Sequence, residues 1–304
     1  MGLFSKKDTP VITDVANWPG IEASEQQVLS MAQTECIHDC MPAEWFPQRE
    51  VHITWPNEDT DWRPWIKQVT ACYLRIAYEI STTEHLLITC ADAQSLNKLL
   101  SEKLPKKCLD NITVAQCPMN DTWVRDYGFI TVLENGNYQL LDFKFNGWGN
   151  KFEASCDNAI NRFTYANKLV KGEYRDEQNF VFEGGSIESD GQGTLLTTSQ
   201  CLLNPNRNPS MNKAEIEDFL LRTLKSNLLL WLDHGYLNGD DTDSHIDTLA
   251  RLCPNSTIVY VKCTDPADEH YDELKKMEQQ LQSFRTLKGE PFNLLPLPMS
   301  PAMH

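Results

Sequence analysis

Between Asn238 and Asp247 the chain reads Asn-Gly-Asp-Asp-Thr-Asp-Ser-His-Ile-Asp, which sets Asp241, Asp243, His245 and Asp247 at alternate positions. In an extended segment all four side chains would share one face, because strand side chains alternate. Three carboxylates around one imidazole repel one another, so a cation is expected among them, either a metal ion or a charged substrate. Asp247, two residues beyond His245, would favour the protonated ring, which suits a general acid.

Two further segments concentrate reactive residue types between apolar runs: Asn120-Asp-Thr-Trp-Val-Arg-Asp-Tyr-Gly128 and Phe182-Glu-Gly-Gly-Ser186. Glycines at 184 and 185 would let backbone come close to whatever Glu183 holds, although Glu-Gly-Gly is more often a plain turn. Asp126 beside Arg125 has an equally plain reading, an exposed ion pair worth less than about 1 kcal/mol. Trp123 adds a flat face that could stack on a planar cation such as guanidinium, with core packing as the competing use. Arg207, in Asn204-Pro-Asn-Arg-Asn-Pro209, is read as a brace for its own turn and is left out of the site.

The elements that must carry these residues alternate strand and helix, an α/β pattern. Strands are predicted at 51–55, 85–90, 112–116, 128–133, 138–143, 180–182, 194–198, 228–232 and 257–262, with a last one opening at Phe292. Helices are predicted at 65–80, 91–103, 158–170, 212–224 and 268–287. Glu134-Asn-Gly-Asn137 and Asp190-Gly-Gln-Gly193 read as hairpin turns. Strand, helix and hairpin recur at loosely similar spacing, as in a pseudosymmetric array. Residues 1–40 lack this pattern and form an extension, with one helix predicted from Ser24, as cap, to Cys40.

The chain has 304 residues and a formal charge of −16, from 43 acidic and 27 basic residues. Such a surface disfavours nucleic acid and anionic membranes as partners and suits a small cation. No apolar run of about 18 residues is present, and the start lacks the apolar stretch of a signal peptide, so a cytoplasmic protein is expected. Ten cysteines are scattered without a Cys-x-x-Cys pair, which is neither a zinc nor a disulfide framework.

Met41-Pro-Ala-Glu-Trp45, Trp55-Pro56, the segments around Asp126 and Glu183, Thr194-Leu-Leu-Thr-Thr198, Leu203-Asn-Pro-Asn-Arg-Asn-Pro209 and Gly239 to Asp247 together resemble agmatine deiminase. The likeness runs from about Met41 to the C-terminus and preserves the order of the segments. It implies the pentein fold, a five-bladed α/β propeller with a catalytic domain from residue 41, and a site along its axis. It also implies that Asp126 and Asp247 grip the guanidinium nitrogens, that Glu183 supports guanidinium and histidine, that His245 is general acid and base, and that Trp123 lines the substrate channel. No metal or other cofactor is implied.

In that family a cysteine thiolate attacks the guanidinium carbon, ammonia leaves with a proton from the histidine, and water hydrolyses the thiouronium. Agmatine becomes N-carbamoylputrescine, a step toward putrescine. The family's cysteine lies in a Gly-rich His-Cys segment near the C-terminus, and these 304 residues contain no His-Cys pair. The expectation is a truncated chain that lacks roughly the last blade and does not turn over as it stands, with Cys201 not promoted in its place. Ser244 departs from a position where many members carry Gly. Three other functions stay open: a peptidylarginine deiminase, a guanidinium-binding module without catalysis, and a metal-dependent ureohydrolase that uses Asp241, Asp243, His245 and Asp247. Self-association into a homo-oligomer is also left open.

Overall fold

A computed structural model describes residues 39–235, 237–238 and 244–299. Among them are four three-stranded sheets. The first holds β1 (Glu50–Thr54), β2 (His85–Cys90) and β3 (Ile112–Gln116), all parallel. Its crossovers are α1 (Ile66–Ser81) and α2 (Ala93–Lys103), the latter capped by Asp92, whose side chain accepts from the Ser95 amide.

The next three sheets repeat one plan: an antiparallel hairpin, a crossover containing a helix, and a third strand parallel to the second. They comprise β4 (Ile130–Glu134), β5 (Asn137–Lys144) and β6 (Glu173–Val181); then β7 (Ile187–Ser189), β8 (Thr194–Thr198) and β9 (Leu228–Leu232); then β10 (Ala250–Cys253), β11 (Thr257–Lys262) and β12 (Asn293–Pro298). Both predicted hairpin turns form. Glu134 pairs with Asn137 across Asn135 and Gly136, which take the positive φ values such a turn demands.

Between β3 and β4 lies the one-turn helix α3 (Val124–Tyr127), and the later crossovers hold α4 (Ile160–Ala166), α6 (Lys213–Thr223) and α7 (Tyr271–Ser283), with one-turn α5 (Ser199–Leu202) after β8. A capping box, Asn212 to the Glu215 amide and Glu215 back to the Asn212 amide, starts α6. Its buried face, Ile216 and Leu220, joins Ile130, Val132, Leu141 and Phe143 of the second sheet with Ile187, Leu195 and Leu229 of the third in one core. These two units therefore share an interior.

The elements differ from the sequence prediction in instructive places. β7 and β10 are absent from it, because Ile-Glu-Ser and Ala-Arg-Leu-Cys are too short to show alternation. β6 begins at Glu173, where polar Glu-Tyr-Arg-Asp-Glu hides a strand that pairs with β5. Helix α7 stops at Ser283, since Phe284 is extended, and α4 stops at Ala166 before Lys168 turns left-handed. Cys40 forms an antiparallel bridge to Leu133 rather than ending a helix. The rest of the helix predicted from Ser24 lies outside the described residues.

Candidate active site

Asp126 stands four residues before β4 and Glu183 four before β7, while His245 stands five before β10. The turns that lead into three successive hairpins thus each deliver one ionisable group, and the repeat brings those turns together. Asp126, Glu183 and His245 are 7%, 1% and 4% exposed. His245 Nε2 lies 2.8 Å from Glu183 Oε2, and its Nδ1 lies 3.6 Å from Asp126 Oδ1. The imidazole sits between two carboxylates.

Glycine makes this approach feasible. A Cβ on Gly185 would fall 2.4 Å from His245 Nδ1 and 2.9 Å from Asp126 Oδ1, and one on Gly184 would fall 2.1 Å from the Arg125 carbonyl. The Gly185 amide also donates to Asp126 Oδ1 at 3.0 Å. Glu-Gly-Gly is therefore a close-packing device here and more than a plain turn.

Each carboxylate has a second restraint that sequence reasoning misses. Trp148 Nε1 donates to Asp126 Oδ2 at 3.0 Å. Its backbone is left-handed (φ 55°, ψ 51°), a conformation that costs an aromatic residue about 1–3 kcal/mol and that clusters at functional sites. A glycine-flanked tryptophan, Gly147-Trp-Gly149, is the available signal. Arg207 donates from Nε to both Glu183 oxygens at 3.0 and 3.2 Å and from Nη2 to Oε2 at 2.8 Å. Arg207 is thus more than the expected loop brace, because its fork grips the site's own glutamate.

Burial and pairing set the charges. Burial raises Asp126 from its ordinary value, against the pull of His245, Trp148 and the Gly185 amide. Burial also disfavours a charged Glu183, but the hydrogen bonds from His245 and Arg207 outweigh it and hold this carboxyl below its ordinary value. For His245, burial opposes the proton, while its partners Cys201 and Glu183 and the charge of Asp126 carry it well above the ordinary histidine range. Burial pushes the Cys201 thiol up, against the pull of His245 and Arg207.

Asp247 does not share an extended face with His245. It lies half-buried in a 3-10 turn, Ile246–Thr248, where its charge reaches Arg125. The ring of His245 instead meets Glu183 Oε2 at 2.8 Å and Asp126 Oδ1 at 3.6 Å, on residues far from Asp247 in sequence. Arg125 is likewise not paired with Asp126, because its guanidinium bonds Glu44 at 2.6 Å. Trp123 is 48% exposed and tilts against Trp62 at 6.1 Å, so it is available as a face and is not core. Ser244 has φ 53°, the conformation glycine adopts most easily, and its carbonyl accepts from Thr198 Oγ1 at 2.6 Å.

Asp241 and Asp243 of the expected four-residue metal set lie outside the described residues. Glu183, Cys201 and His245 do present ligand-type atoms within 4.8 Å of one another. Both Glu183 oxygens, however, are taken by the Arg207 fork, and a fixed guanidinium opposes a dication at that spot. The donor set fits a proton-holding pair. A cleft of ≈260 Å³ is lined by residues such as Phe46, Arg49, Arg125, Tyr138 and Lys171, and none of the three site residues lines it.

Residues 40–304 match the model of the Porphyromonas-type peptidyl-arginine deiminase family. The agmatine deiminase of Pseudomonas fluorescens is 34% identical over 265 residues, spanning 85% of this chain and 70% of that protein. The structure of a cysteine-to-serine C. jejuni agmatine deiminase with substrate bound superimposes with a TM-score of 0.78 at 36% identity, covering 88% of this chain and 76% of that one. The Enterococcus faecalis agmatine deiminase gives a TM-score of 0.76 at 30% identity, covering 86% and 70%. The repeated hairpin units, the converging turns and these likenesses agree: the chain belongs to the Porphyromonas-type peptidyl-arginine deiminase family, together with the agmatine deiminases it matches.

Proposed function

We propose that this protein binds agmatine and carries the proton-transfer machinery that converts agmatine and water to N-carbamoylputrescine and ammonia, a cytoplasmic step toward putrescine. The carrying observation is the imidazole of His245 held between Glu183 and Asp126, two buried carboxyl groups, at 2.8 and 3.6 Å. In this reading Asp126 and Asp247 neutralise the guanidinium and fix its plane, and Trp123 lines the approach. His245 delivers the proton that leaves with ammonia and later receives one from the attacking water. Glu183 acts through His245, since its fully buried oxygens are already engaged by Arg207 and the ring.

The four sheets are read as four blades of a five-bladed propeller, in a catalytic domain that opens near residue 41. Attack on the guanidinium carbon needs a thiolate. Cys201, held as a buried thiol behind the histidine, does not supply it, so the 304 residues are expected to bind substrate and not to turn it over.

Calorimetry with agmatine tests the reading. Micromolar to millimolar binding is expected, weakened at least tenfold by Asp126→Asn, with no ammonia released; absence of binding to the unmodified protein would sink it. A peptide bearing internal arginine serves as the competing ligand, because the family model also carries the name of a peptidyl-arginine deiminase. Tighter binding of that peptide would move the substrate from agmatine to peptidyl arginine.

A further inference from the structure

We propose that Arg207 is a positioning residue for His245, acting through Glu183: its guanidinium fork keeps Glu183 an anion turned with Oε2 on the ring, so that the ring, and not the glutamate, holds the shared proton. This rests on the reading of His245 as the proton carrier.

The alternative is that Arg207 only braces its turn. That turn has other restraints. The Arg207 amide donates to the Asn204 carbonyl at 3.0 Å, the Asn206 carbonyl accepts from Asn146 at 2.9 Å, and Asn208 exchanges two 2.9 Å bonds with the Val181 backbone. The Arg207 side chain is 1% exposed, and three donor contacts of 2.8–3.2 Å from Nε and Nη2 go to Glu183. A full cation placed there in a fork geometry is a charge-setting arrangement.

The consequence follows from where the charges sit. Glu183 is fully buried, and its other ionic partner is His245. A carboxylate and an imidazolium 2.8 Å apart can exchange one proton, and burial favours the neutral pair of carboxylic acid and imidazole. Arg207 touches the carboxylate directly and reaches the ring only beyond it, so it stabilises the anion more than it repels the imidazolium. Asp126 at Nδ1 pushes the same way. Cys201 Sγ lies 3.8 Å from Glu183 Oε2, and its contact with the ring also favours the protonated imidazole. Arg207 Nη1 also donates to the Cys201 carbonyl at 3.3 Å.

Nitrogen-15 NMR of histidine-labelled protein reads the ring directly and requires neither agmatine nor turnover. The unmodified protein should show His245 doubly protonated at pH 7. Arg207→Gln should convert most of it to a neutral ring, and Arg207→Lys, which keeps the charge, should restore the doubly protonated form. A folded Arg207→Gln protein whose His245 titrates like the original overturns the proposal and leaves Arg207 a brace. If Arg207→Gln does not fold, carbon-13 labelling of glutamate in the unmodified protein decides: Glu183 should stay a carboxylate below the usual glutamate range, and titration at or above that range overturns the proposal. Agmatine that fails to bind while these spectra hold would defeat only the functional reading.

Discussion

At the scale of single residues, burial does most of the work. Glu188, 1% exposed on β7, is pushed up to about 7 by burial, against Arg251 at 2.6 Å. Asp157 is also pushed up to about 7 by burial, although it accepts backbone hydrogen bonds from Asn120 and Asp121. Both folded values lie above those of an unfolded chain, near 4. The folded state therefore binds more protons between about pH 4 and 7, and stability falls as pH rises through that window. Urea denaturation at a series of pH values should show a decline on the order of 1–3 kcal/mol per group. Glu188→Gln should remove about half of it and leave the share of Asp157, and an unchanged slope would assign the decline to other groups.

Among the elements, the Glu-Gly-Gly turn before β7 is where local backbone and chemistry meet. Its two glycines face different neighbours, so their substitution should separate stability from binding. Gly184→Ala drives a methyl onto the Arg125 carbonyl, rigid backbone of α3, and should cost about 2–3 kcal/mol or more by thermal denaturation. Gly185→Ala meets the His245 ring and the Asp126 carboxylate, side chains able to move. It should unfold less readily yet weaken agmatine binding by tenfold or more, measured by calorimetry. Equal affinity in Gly185→Ala would show that the histidine–aspartate approach does not matter for the ligand.

Across the whole molecule, three hairpin units repeat, and the second and third sheets share one core through α6. Leu220, fully buried between them, should couple their stabilities. Leu220→Ala should destabilise by about 2–5 kcal/mol. Hydrogen exchange should then speed up together in β5 and β8, while β2, packed in the separate core of Leu74, Leu86 and Leu100, responds less. Loss of protection in β8 alone would mean that the sheets open independently. Among the described residues no helix is long and apolar enough to cross a membrane.

Much of the site is legible in the order of residues along the chain. Asp126, Glu183 and His245 stand out as rare residue types set at turns, and the strands at 85–90, 112–116, 194–198, 228–232 and 257–262 match to the residue, because apolar runs bounded by turn residues are local signals. The alternation that ties His245 to Asp247 is misleading, since the chain enters a 3-10 turn there and period-two spacing loses its meaning. Arg207 and Trp148 can be seen but not assigned. Their partners, Glu183 and Asp126, stand 24 and 22 residues away, and nothing in a turn's composition says which distant carboxylate its side chain will meet. The sequence alone determined which groups could carry charge and where turns would place them. Only the tertiary structure decided which charges neighbour which, because contact across the repeat, not spacing along the chain, brings Glu183 and Asp126 to the ring of His245.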